Sequence, residues 1–108
     1  MSTITRKLIA SVTSEMQPQK GQEHRSSGNF STQGLPEGTK TLAWEIEGGG
    51  ETEVIKFSVK EDVQGKDPVF FTEVYSGNRT DVKSNRSLYI ADPVRATSSF
   101  IVHVYAVY

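Results

Sequence analysis

The last twelve residues, Thr97 to Tyr108, constrain the fold more than any other stretch of this chain. Side chains alternate across a strand. Phe100, Val102, Val104, Ala106 and Tyr108 therefore share one face, and Ile101, His103, Tyr105 and Val107 share the other. A strand with one side in water is polar at every second position. Here His103 is the one strongly polar interruption, so both faces are expected to be covered, by a second sheet, a long loop or another copy of the chain. Chain ends fray unless they are tied down, which predicts that this segment is paired inside a sheet.

Strand patterns recur upstream. Ile4 to Thr13 is rich in β-branched residues, with Leu8, Ala10 and Val12 set against Lys7, Ser11 and Thr13. Thr39 to Glu47 alternates, with Leu42, Trp44 and Ile46 inward, and Glu51 to Lys60 does the same with Ile55, Phe57 and Val59. Between them Gly48-Gly49-Gly50 permits positive φ and predicts a hairpin turn, with Glu45 opposite Lys56. Pro68 to Tyr75 and Ser87 to Ala91 read as strands, and Asp92-Pro93 as a turn. No window shows helical periodicity. Short strands separated by turn signals predict an all-β antiparallel β-sandwich of six to eight strands, immunoglobulin-like or jelly-roll in style. Residues 1–108 are read as one domain.

The exception is Ser14 to Gly38, almost without aliphatics and holding four glutamines, two prolines and four glycines. Loops this long are usually functional or disordered. The segment is expected to be a mobile or ligand-contacting loop, with a short edge strand around Phe30 between Gly28 and Gln33.

Composition removes several classes of function. The net charge is −1, and Arg79, Lys83, Arg86 and Arg95 are diluted by Asp81 and Asp92. No basic footprint for nucleic acid emerges. There is no cysteine, hence no disulfide, thiolate zinc site or cysteine nucleophile, and the compartment stays open. The apolar run after Arg6 and Lys7 is too short for a signal peptide or a membrane span, so a soluble domain is expected.

Catalytic signals are absent from the pattern. His24 and His103 are isolated, and no metal site is expected from either. Glu45, Glu47, Glu51 and Glu53 gather around the glycine run, and Glu61, Asp62 and Asp67 form a second acidic loop. Acids converging at a turn offer oxygens to calcium, with a solvated hairpin tip as the ordinary reading, and the second group lacks the ordered ligand spacing of a helix-loop-helix calcium site. No pair of acids is singled out for glycoside hydrolysis, and no nucleophile elbow or phosphate loop occurs. Asn29, Asn78 and Asn85 all begin Asn-x-Ser/Thr sequons, which matter only in a secreted chain. With no secretory segment in view, they read as coincidence.

Together these features predict a non-catalytic, lectin-like binding module without a cofactor, recognising carbohydrate or a protein surface through its loops. Phe30, Tyr75, Asn78, Arg79 and Tyr89 are the candidate ligand-binding residues. A self-assembling structural subunit is the alternative, with Ile101, His103, Tyr105 and Val107 as the interface of a homo-oligomer. A small hydrolase ranks third.

Overall fold

In the computed structural model, residues 5–18, 20–21, 24–50, 54–64 and 66–108 are described. They form eight strands and no helix: β1 (Arg6–Ser14), β2 (Phe30–Ser31), β3 (Thr41–Gly48), β4 (Lys56–Glu61), β5 (Val69–Val74), β6 (Arg79–Thr80), β7 (Ser87–Val94) and β8 (Phe100–Val107). No helix among the described residues is long and apolar enough to cross a membrane.

The strands pair from the outside in. β1 lies antiparallel to β8, β2 to β7, β3 to β6 and β4 to β5, as in one long hairpin rolled upon itself. Pairings β3–β8 and β4–β7 close the roll into two four-stranded sheets, ordered β1-β8-β3-β6 and β2-β7-β4-β5. This is the strand order of a jelly roll, which decides between the two expected styles of sandwich.

The inward-facing residues are those the alternation selects. Leu42, Trp44, Phe57, Val59, Leu88, Ile90, Phe100, Val102 and Val104 form the core between the sheets. Trp44 is fully buried and meets Phe30, Phe57 and Phe71 edge-on, with ring centroids 6.0 to 6.1 Å apart. Its indole N–H donates to Thr80 Oγ1 at 2.9 Å, so the largest core side chain also has its polar atom satisfied.

The glycine run does not make a hairpin. β3 and β4 belong to opposite sheets, so Gly48, Gly49 and Gly50 carry the chain across the sandwich at φ 83°, 84° and 106°. A Cβ on Gly49 would sit 2.4 Å from Ile55 Cδ1 and 3.0 Å from Phe100 Cβ, so the turn is packed against the core. Glu45 consequently faces Arg6, which donates to it at 3.0 Å, and not Lys56. Of the acidic group expected around this turn, Glu51 and Glu53 lie outside the described residues, as does the predicted start of β4.

Two further expectations are corrected. Asp92-Pro93 is no turn, because β7 runs on to Val94. The register with β4 shifts between Lys56 and Ser58, and Asp92 takes φ 49°. An irregularity of this kind is where a strand tolerates a proline with no N–H to give. In β1 the register shifts between Leu8 and Ala10. The extra residue, Ile9, turns Leu8 to the outer face while Ala10 and Val12 stay inward; Leu8 is 48% exposed.

Part of the polar segment between Ser14 and Gly38 is built into the second sheet. Arg25 bridges Ala91 and Ser27 bridges Ser14, while Phe30–Ser31 supplies the expected short edge strand. Ser14, Ser26, Ser27 and Thr32 are buried. Ser26 N–H and Oγ both donate to Ile90 O, and Ile90 N–H donates to Ser27 Oγ at 2.8 Å. The Ser27 hydroxyl here satisfies a buried N–H of β7 in place of a backbone partner, and the Ser26 hydroxyl adds a second donor to Ile90 O.

Candidate functional site

Strand direction alternates, so the connections after β1, β3, β5 and β7 leave at one end of the sandwich and the remaining ones at the other. At the first end an open cleft of about 300 Å³ is lined by Ile46, Gly48, Gly50, Val54, Ile55, Tyr75 and Ser76. Its walls are the end of β3, the crossover behind it and the turn after β5.

That turn is stitched to β3. Gly77 N–H donates to Trp44 O at 2.8 Å, Trp44 N–H donates to Asn78 O at 3.0 Å, and Ile46 N–H donates to Ser76 Oγ at 3.0 Å. Tyr75 O accepts from Asn78 N–H at 3.0 Å, closing the turn. Tyr75 is thereby held at the rim, 43% exposed, across from Val54, 56% exposed. Two exposed apolar side chains flank a lining in which, among the described residues, the one side-chain polar group apart from the Tyr75 phenol is the Ser76 hydroxyl.

Of the five candidate ligand residues, Tyr75 and Asn78 belong to this turn, Arg79 follows it at the start of β6, and Phe30 and Tyr89 lie elsewhere. Tyr75 lines the cleft and Asn78 closes the turn. Arg79 opens β6 opposite Ala43, on the outer face of the first sheet. Phe30 is withdrawn into the core against Trp44. Tyr89 is fully buried: the Arg25 guanidinium lies 3.8 Å above its ring, and its hydroxyl donates to Asp67. Arg25 also donates to Ser27 O, Asn29 Oδ1 and Asp62, clamping the β1–β2 connection over β7. Neither Phe30 nor Tyr89 is open to a ligand from outside. Ile46, Val54 and Ile55 were missed by the sequence reading. The available signal was Val54-Ile55, two adjacent apolar residues where a strict alternation allows one.

At the opposite end a polar cleft of about 360 Å³ is lined by Ser31, Gln33, Asn85, Arg86 and Ser87. Asn85 takes φ 58°, and Arg86 pairs with Glu61 at 3.2 Å. The other two sequon asparagines are engaged, Asn29 with Asp62 at 2.7 Å and Asn78 with Arg79 O at 3.4 Å.

Ile101, His103, Tyr105 and Val107 all point to the outer side of the first sheet, where Val107 is buried and the other three are half-buried. Arg6 lies 4.1 Å above the Tyr105 ring, and its hydrogen bond to Glu45 raises it above the ordinary arginine value. Ser11 Oγ meets His103 Nδ1 at 2.7 Å, and His103 Nε2 meets Glu47 at 3.3 Å. These are the residue types of an acyl-transfer triad, yet Glu47 is 70% exposed on an open sheet face. Acyl transfer relies on preorganised donors in a water-excluded site. The line is better understood as cross-strand hydrogen bonding.

Among the described residues no group of three or more histidine, aspartate or glutamate side chains is placed to hold a metal ion. Comparison with known proteins finds no matching family model, no matching curated protein and no matching solved structure.

Proposed function

We propose that the protein is a non-catalytic binding module that takes an apolar side chain of a protein partner into the cleft between Val54 and Tyr75. The observation that carries this reading is the lining: Ile46, Val54, Ile55 and the Tyr75 ring around two glycines and one hydroxyl. A sugar asks for several convergent hydrogen-bonding side chains. Among the described residues the lining offers the Tyr75 phenol and the Ser76 hydroxyl, whose oxygen accepts from Ile46 N–H and whose O–H remains to donate. At about 300 Å³ the cleft stands at the small end of ligand sites, a size that suits one anchoring side chain. An amphipathic tyrosine at the rim is the residue type enriched where one protein grips another. The fold itself is neutral, since sandwiches of this order serve unrelated functions.

The test is a displayed peptide library selected on the intact protein, run beside a glycan array. The expected result is a set of peptides sharing one apolar anchor, with Tyr75→Ala weakening them at least tenfold, about 1.4 kcal/mol. Tyr75-dependent glycan binding without such peptides would replace a protein partner with carbohydrate. Silence in both assays would remove the reading.

A further inference from the structure

The end of the sandwich opposite the Val54–Tyr75 cleft has the contrary chemistry. Its cleft of about 360 Å³ is lined, among the described residues, by Ser31, Gln33, Asn85, Arg86 and Ser87, without an aliphatic or aromatic side chain. Ser31 and Ser87 are cross-strand partners of β2 and β7. Their strand neighbours Phe30 and Leu88 are buried, so alternation turns both hydroxyls outward. Gln33 follows β2, and Asn85 and Arg86 come from the loop that leads into β7.

One buried residue fixes this arrangement. Thr32 is fully buried; its N–H donates to Arg86 O at 3.0 Å, and its carbonyl accepts from Asn85 N–H at 3.1 Å. Its hydroxyl oxygen accepts from Arg86 N–H at 3.0 Å, and its O–H donates to Lys83 O. Asn85 is held between these bonds at φ 58°, a left-handed conformation that asparagine accepts more readily than most residues. The Arg86 guanidinium pairs with Glu61 at 3.2 Å and lies 5.8 Å from the centre of the Phe70 ring. The walls of the cleft are therefore set before any ligand arrives, which lowers the ordering cost of binding.

We propose that this cleft binds a neutral sugar at the end of a glycan. A sugar hydroxyl both donates and accepts, and a primary amide offers both functions side by side. Gln33 and Asn85 supply two such amides and Ser87 a hydroxyl, and none of these three side chains is engaged by another described residue. Ser31 Oγ accepts from Gln33 N–H at 3.0 Å and keeps its own O–H to donate. An acidic ligand would have to draw Arg86 away from Glu61, and an apolar one would meet no apolar wall. At about 360 Å³ the cleft stands at the small end of ligand sites, enough for the terminal ring of a glycan. The proposal is independent of the cleft between Val54 and Tyr75.

The test is an array of neutral, sialylated and sulfated glycans probed with the unaltered protein. It should select neutral glycans that share one terminal sugar. Titrating the best of them into labelled protein should shift the amides of residues 31–33 and 85–87. Gln33→Ala and Asn85→Gly should each weaken binding at least tenfold, while Tyr75→Ala leaves it unchanged. Glycine keeps the left-handed conformation of Asn85, so that variant removes the amide without straining the loop, and Gln33 is exposed, so its truncation spares the fold. Binding of sialylated or sulfated glycans alone, loss of binding in Tyr75→Ala, or no glycan bound at all would overturn the proposal. Neutral-glycan binding that survives Tyr75→Ala when no peptide is selected would uphold this cleft and remove the reading of the other.

Discussion

Gly49→Ala separates an inter-sheet crossover from an ordinary exposed hairpin tip. In an exposed tip, alanine costs only its backbone strain at positive φ, about 1–2 kcal/mol. In this structure the new methyl also lands 2.4 Å from Ile55 Cδ1 and 3.0 Å from Phe100 Cβ, and forcing atoms into a packed core adds about 1–3 kcal/mol. The sum is about 2–5 kcal/mol out of the ~5–15 that stabilise a domain. At ~4–8 °C per kcal/mol for a chain of this size, the melting temperature should fall by at least about 8 °C. The assay is thermal and urea unfolding followed through Trp44 fluorescence, with Gly28→Ala as the control. Gly28 has no positive φ and nothing within 4 Å of a built Cβ, so alanine there should be neutral or slightly stabilising. If Gly49→Ala unfolds within about 1 kcal/mol of the Gly28→Ala control, the crossover packing is wrong.

Four more outcomes are expected. Ser27→Ala deprives Ile90 N–H of its acceptor and should cost about 1–3 kcal/mol, measured by urea midpoint; an unchanged midpoint would mean the segment does not rest on β7. Trp44→Ala should cost about 3–5 kcal/mol, while Thr80→Val, which leaves the indole N–H unpaired, should cost about 1–3 kcal/mol and leave the folded spectrum unchanged. Tyr75→Ala should leave the melting temperature within a few degrees of the parent, because its ring is at the rim and outside the core; a large drop would make it a packing residue.

Period-two alternation carried the fold class. It placed Leu42, Trp44, Phe57, Val59, Phe100, Val102 and Val104 inward and required a second layer to receive them. Alternation says nothing about which sheet a strand joins, and a glycine run serves a hairpin and a crossover equally well, so β3 and β4 were wrongly paired. β6, two residues long, is too short to show a period. The Ile9 irregularity inverted Leu8, because one extra residue reverses every side chain before it. Ser26 and Ser27 were read as loop residues since their polarity points to water, whereas the Ser27 hydroxyl replaces a backbone partner of β7 and the Ser26 hydroxyl adds a second donor there. At the candidate site Tyr75 was legible as an amphipathic residue at a strand end. Phe30 and Tyr89 were not separable from it by type, because burial depends on neighbours such as Trp44 and Arg25 that only the fold brings close.

The most direct measurement of the binding claim is an amide chemical-shift titration of the labelled protein with a peptide selected for the cleft. Perturbed amides should cluster at residues 46–50, 54–55 and 75–78, and vanish from that set in Tyr75→Ala. Shifts centred instead on Ser31, Asn85 and Arg86, or along Ile101 to Val107, would contradict the assignment of the cleft as the recognition site.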